Sequence, residues 1–148
     1  MKIEIKTESY NKRRYGKPWV AKVSFNEDGE LKYEFHTWIG DPGSEGILVI
    51  DANEGDIIAN GQRDHRGSNS SNFKYLVLKN GKILHISSKV DIFKLYKKET
   101  TAQEYLENKK NEILEEIKKN SSSTYESYRE GLQKEVEKYN ILIKENNE

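Results

Sequence analysis

Trp19-Val20-Ala21-Lys22-Val23-Ser24-Phe25, then Asn26-Glu27-Asp28-Gly29-Glu30, then Leu31-Lys32-Tyr33-Glu34-Phe35-His36-Thr37-Trp38-Ile39 is the stretch that decides the fold. Trp19, Ala21, Val23 and Phe25 alternate with Val20, Lys22 and Ser24, the period of a strand with one face turned to a core. Asn26 to Gly29 carries turn chemistry, because Gly29 can take the positive φ that a tight reversal needs. Leu31, Tyr33, Phe35, Thr37 and Ile39 resume the alternation on the way back. This reads as an antiparallel hairpin, and its neighbours extend the theme. Ile3 and Ile5 alternate with charges as a short half-buried strand, and Ile47-Leu48-Val49-Ile50 is a continuous apolar run expected to be covered on both faces. Asp56 to Ala59 begins another strand, Gly61 to Asn72 reads as a polar loop, and Lys79-Asn80-Gly81 joins Phe73–Leu78 to Lys82–Ser87 as a hairpin. Val90, Phe93, Leu95 and Tyr96 suggest a short helix that closes this part of the chain.

The character changes near Thr100. Thr101-Ala102-Gln103-Glu104 and Ser123-Thr124-Tyr125-Glu126 are capping boxes, each opening a helix. Leu106, Ile113 and Ile117 mark one face of the first helix. Tyr125, Tyr128, Leu132, Val136, Tyr139 and Ile143 mark a stripe on the second. The expectation is an α+β chain: a twisted antiparallel sheet over residues 1–98, then an αα-hairpin over 99–148 that serves packing and assembly. With 34% of its 148 residues hydrophobic and 34% charged, the core is small for the length, which favours self-association.

A formal net charge of zero hides an asymmetry: residues 1–98 hold 17 Lys and Arg against 13 acids, while the remainder holds 8 against 12. An anionic partner would dock on the first part. There are no cysteines, which excludes thiolate catalysis, disulfides and cysteine-bound zinc. The opening alternates charge with apolar residues and does not read as a signal peptide, and no apolar run has the length of a membrane span, so a cytoplasmic protein with no membrane partner is expected. His36, His65 and His85 lack metal-ligand spacing, Ser44 has no elbow motif, and no carboxylates form a catalytic constellation. Neither enzyme activity, a metal nor a cofactor is expected.

Two basic clusters carry the functional signal. The first is Tyr10-Asn11-Lys12-Arg13-Arg14-Tyr15-Gly16-Lys17-Pro18-Trp19; the second is Gly61-Gln62-Arg63-Asp64-His65-Arg66-Gly67, running into Ser68 to Asn72. Guanidinium forks match phosphate oxygens and flat rings match a base. Each signal has a plainer reading beside it. The first cluster also fits a solvated loop. Trp19 by alternation fits the core, with a face toward a base as its second role. Arg63 and Arg66 could hold a diphosphate, with charge-assisted bonds worth about 1.5–3 kcal/mol each, or could pair with Asp64.

The stretches KTESYNKRRYGKPWVAKVSF and WIGDPGSEGILVIDANEGDIIANGQRDHRG, with the closing helical hairpin, resemble the first family of phage-encoded Thoeris anti-defence proteins. Such proteins sequester a cyclic ADP-ribose isomer made by a bacterial TIR-domain enzyme and do not cleave it. Their ligand sites lie between protomers, they assemble from dimers into larger oligomers, and some hold cyclic oligonucleotides at a second site. The resemblance implies that Trp19 or Phe73 stacks the adenine, that Arg63 and Arg66 take the phosphates and that Asn72 meets a ribose, with Arg13, Arg14, Tyr15, Lys17 and His65 as further ligand-binding candidates. Arg129 is the candidate from the C-terminal helices. The host cytosol would be the site of action. Two other classes remain open: a small nucleic-acid-binding module using the same loops, which the zero net charge disfavours, and a protein inhibitor that docks its helical hairpin on a host enzyme.

Overall fold

The computed structural model describes residues 1–7, 17–38, 46–63, 69–119 and 126–147. The chain divides into two compact units, Met1–Glu99 and Thr100–Glu148. The first holds β1 (Lys2–Thr7), β2 (Lys17–Phe25), β3 (Leu31–Trp38), β4 (Gly46–Asp51), β5 (Ile57–Arg63), β6 (Asn69–Val77), β7 (Ile83–Ile86) and α1 (Lys89–Tyr96). The second holds α2 (Ala102–Lys119) and α3 (Glu126–Asn147). The architecture is α+β, as the alternation and the capping boxes led us to expect.

The β2–β3 hairpin is closed at its turn by two backbone bonds, Asn26 N–H to the Glu30 carbonyl and Gly29 N–H to the Asn26 carbonyl, each at 3.0 Å, and by the Asn26 side chain. Asn26 Oδ1 accepts the backbone N–H of Asp28 at 3.0 Å and of Glu30 at 2.8 Å, while Gly29 sits at φ 79°. That conformation is cheap only for a residue without a Cβ. Outward from this hairpin, five strands pair antiparallel in the order β3-β2-β5-β6-β7, and β1 pairs with β4 in a separate ribbon.

Because side chains alternate, one face of the large sheet carries Val20, Ile58 and Val77. These cluster with Ile3, Ile5, Leu48 and Ile50 of the ribbon and with Ala52; Tyr75 and Ile83 pack at the margin. The other face carries Trp19, Ala21, Val23, Ile57, Ala59 and Leu76, all buried. On α1, Phe93 meets the ring of Phe25 edge-on at 5.0 Å, and Tyr96 tilts against it at the same distance.

Two strand expectations are corrected. The apolar run of β4 is covered on one face only: Leu48 and Ile50 are buried, but Ile47 is 58% and Val49 39% exposed. A two-stranded ribbon has a single face to lay on the larger sheet. It is Ile57-Ile58-Ala59 in β5, the middle strand, that is buried on both sides. The polar stretch Gly61 to Asn72 is also not a loop throughout. Residues 61–63 continue β5 and 69–72 begin β6, because ladder hydrogen bonds with neighbouring strands do not depend on side-chain polarity.

In the second unit, Thr101 Oγ1 accepts the N–H of Glu104 at 3.1 Å, the first half of the expected capping box. The Ser123 box lies outside the described residues. α2 and α3 run antiparallel. Asn146 Nδ2 donates to Gln103 Oε1 at 3.2 Å, and Gln103 Nε2 donates to the Ile143 carbonyl at 3.4 Å. At the other end of the pair, Tyr128 Oη donates to Glu116 Oε1 at 3.2 Å. That bond raises the Tyr128 phenol above its ordinary value, since losing its proton would place two negative charges together. Tyr105 and Leu106 are buried.

Candidate functional site

The strand registers bring the described ends of the two basic clusters, Lys17 to Trp19 and Gly61 to Arg63, to one end of the large sheet. Lys17, the first residue of β2, pairs with Arg63, the last residue of β5. Arg63 in turn pairs with Asn69, the first residue of β6, and Trp19 pairs with Trp38, the last residue of β3. Four strand termini therefore lie side by side. Antiparallel pairing produces the convergence, since the end of one strand must lie against the start of its neighbour.

Two register shifts mark the approach to that end. Between β2 and β3, Val20 pairs with Thr37 but Ala21 pairs with Phe35, so His36 is the extra residue on β3. Between β5 and β6, Asn60 pairs with Phe73 and Gln62 with Ser70, so Ser71 and Asn72 together oppose Gly61. Bulges of this kind bend a strand and re-aim what it carries, and they are frequent beside binding sites. Asn72, singled out from the sequence, sits within one.

Of the other candidates, Arg13, Arg14, Tyr15, His65 and Arg66 lie outside the described residues. Lys17, Arg63 and Asn72 are placed by their backbone register alone. Phe73 is 51% exposed, and its ring lies 5.6 Å from the His85 ring, which lies 5.8 Å from that of Tyr75. This is an aromatic ledge on β6 and β7 with Phe73 and His85 exposed and Tyr75 half-buried. Burial raises the Tyr75 phenol above its ordinary value, so it stays a neutral donor at physiological pH.

Trp19 needs a correction. It is 0% exposed, and its ring packs at 5.8 Å against Tyr33. The alternation that made it a core residue is followed in full, and no ring face is left for a base. Phe73 is the ring that remains. Arg129 lies on α3 in the helical unit and is half-buried.

One residue was missed. Asn60 follows the apolar Ile57-Ile58-Ala59 on β5, directly across from Phe73. Its Oδ1 is buried and, among the described residues, accepts no hydrogen bond. A buried acceptor without a donor carries a cost of about 1–3 kcal/mol that an incoming N–H would relieve. The signal was a lone amide closing an apolar strand run.

Chemically, this end offers cationic residues, an open ring and a waiting acceptor. Among the described residues, no group of three or more His, Asp or Glu is positioned to hold a metal ion, and no helix is long and apolar enough to cross a membrane. Comparison with family models, with curated proteins and with solved structures found no match to this chain.

Proposed function

We propose that this chain is a non-enzymatic phage counter-defence protein that binds and sequesters a small cyclic nucleotide, and so blocks activation of the host effector. A cyclic ADP-ribose isomer is the ligand we favour. The observation that carries this reading is the register pairing of Lys17 with Arg63, which sets the termini of both basic clusters side by side. The residues reach this end from distant parts of the sequence, and a solvated loop has no need of that coincidence.

In this reading Arg13, Arg14, Lys17, Arg63, His65 and Arg66 neutralise two phosphates, with Tyr15 beside them. Phe73 stacks the adenine, Asn72 meets a ribose, and Asn60 Oδ1 accepts an exocyclic amine. Arg129 contributes from the helices of a neighbouring protomer. The protein acts in the host cytosol as a homo-oligomer, a dimer or a multiple of dimers. Cyclic oligonucleotides are a second ligand class.

The test is calorimetric titration with the cyclic ADP-ribose isomer, followed by heat denaturation and recovery of the ligand. Saturable binding and release of intact ligand are expected. Arg63→Ala should weaken binding about 10- to 100-fold, the equivalent of one charge-assisted contact of about 1.5–3 kcal/mol. Absence of binding, or recovery of a fragmented ligand, overturns the reading.

A further inference from the structure

The opposite end of the large sheet holds a polar cavity of about 400 Å³, wholly within the first compact unit. Lys22, Glu34, Asn53, Asp56, Tyr96 and Lys98 contribute to its lining. Lys22 is five positions along β2 from Lys17, so the cavity lies roughly 16 Å along the sheet from the basic strand ends. We infer that it is a binding site for a zwitterionic small molecule of amino-acid size.

The first argument comes from Lys98. The C-terminus of α1 closes with two bonds, Lys98 N–H to the Leu95 carbonyl at 3.1 Å and Glu99 N–H to the Lys94 carbonyl at 2.9 Å. This is a Schellman closure, whose pivotal residue adopts the left-handed conformation and is usually glycine. Here that residue is Lys98, at φ 62°. Both bonds are made by the backbone and would form equally well with glycine. The lysine side chain therefore adds only its ammonium, which lies at the cavity. Among the described residues its ammonium makes one hydrogen bond, to the Gly55 carbonyl, which is 3.5 Å long and exposed. Such a contact is too weak to account for a side chain held in a disfavoured backbone conformation.

The second argument is the charge pattern. Two lysines, Lys22 and Lys98, and two acids, Glu34 and Asp56, line the cavity, and Lys22 also feels the Asp51 carboxylate. Lys22 and Glu34 are cross-strand neighbours on β2 and β3. Among the described residues no salt bridge joins any of the four. Asp56 spends Oδ2 on the N–H of Asn53 at 2.8 Å. Opposed charges that share a cavity without pairing are left to water or to a ligand presenting both signs.

Balanced lining disfavours a phosphate, which Glu34 and Asp56 would repel, and disfavours a simple cation for the converse reason. The Tyr96 ring is engaged with Phe25, so a stacked base has no platform. The volume lies at the small end of the range for ligand sites, about 300–1,000 Å³. A free amino acid satisfies both size and charge, its carboxylate toward Lys22 and Lys98 and its ammonium toward Glu34 and Asp56.

The test is a titration of the full chain with each free L-amino acid in turn, followed by backbone-amide NMR. At least one should give saturable shifts confined to residues 22–24, 34, 53–57 and 96–98. The same amino acid with its amine acetylated and its carboxyl amidated should give none. Lys98→Gly, which leaves the helix closure intact, and Asp56→Asn, which keeps an acceptor for Asn53, should each weaken binding at least about tenfold, one ion-pair contact. The inference is overturned if no amino acid gives saturable shifts, if the capped compound binds equally, or if Lys98→Gly leaves affinity unchanged. None of these residues takes part in the proposed nucleotide site, so either site can fail without the other.

Discussion

Replacing Lys98 with glycine should make the protein more stable, although it removes a side chain and a hydrogen bond. A non-glycine residue in the left-handed region carries about 1–2 kcal/mol of steric cost from its Cβ, and Lys98 is held there at φ 62°. Glycine removes that cost but adds about 0.4–1 kcal/mol of chain entropy to the unfolded state. The lost bond to the Gly55 carbonyl, exposed at 3.5 Å, contributes a few tenths of a kcal/mol at most. The balance is a gain of about 0.5 kcal/mol. With a urea dependence of about 2 kcal/mol per molar, the unfolding midpoint should rise by about 0.25 M. Both tryptophans, Trp19 and Trp38, belong to the first unit, so their fluorescence follows the unfolding of the part that contains Lys98. Lys98→Ala is the decisive control, because it discards the ammonium and keeps the Cβ. Alanine should fall below the wild type, and glycine should exceed alanine by about 1 kcal/mol. If alanine and glycine are equally stable, backbone strain is not what distinguishes this position and the reasoning fails.

Two further outcomes follow from the packing and the charges. Ile58 is 0% exposed on the middle strand, where the large sheet meets the β1–β4 ribbon, so Ile58→Ala should cost about 2–5 kcal/mol in urea unfolding; a loss below 1 kcal/mol would mean the ribbon does not close that face. Asp51 Oδ1 accepts a hydrogen bond from the Met1 ammonium 3.0 Å away, and that bond and the positive charge hold its carboxyl below the ordinary 3.8. A depressed native value means that its contribution to stability is present above the unfolded value and is lost as pH falls through the native one. Carboxyl-detected NMR should therefore show Asp51 titrating below the ordinary 3.8, and a midpoint at or above that value would refute the contact.

Much of the first unit was legible because its signals are local. The Asn26–Gly29 turn is written in four adjacent residues, and the structure closes it with Asn26 Oδ1 and a positive φ at Gly29. What was misread depends on partners remote in sequence. Ile47–Ile50 and Ile57–Ala59 are equally apolar runs, and only their places in the two sheets decide which is covered twice. Gly61-Gln62-Arg63 looks like loop because its side chains are polar, yet β2 supplies ladder partners that composition cannot reveal. Asn60 was overlooked since an amide after an apolar run is unremarkable until its oxygen is found without a donor. Lys98 is harder still. A lysine after a helix reads as a favourable charge near the dipole, and only its φ shows that the backbone asked for glycine.

The two ends of the sheet differ for a reason rooted in how the chain is threaded. At one end the connections at Asn26–Glu30, Ala52–Asp56 and Leu78–Lys82 are short and bonded to themselves, so charged side chains brought there stay on fixed backbone. At the other, longer segments join strand termini whose closing residues, Lys17, Trp38, Arg63 and Asn69, come from four strands. A larger ligand with several charges needs reach from many segments and is suited to that second end. A small ligand with opposed charges needs precise spacing and is suited to the first. β2 runs through both ends, with Lys17 at one proposed site and Lys22 at the other, but between them Val20 and Ala21 are buried on opposite faces of the sheet. Coupling between sites requires an element with two arrangements. Val20, Ile58 and Val77 are buried in one cluster with the ribbon, and no second arrangement is needed to fill either end, so occupancy at one should leave affinity at the other unchanged.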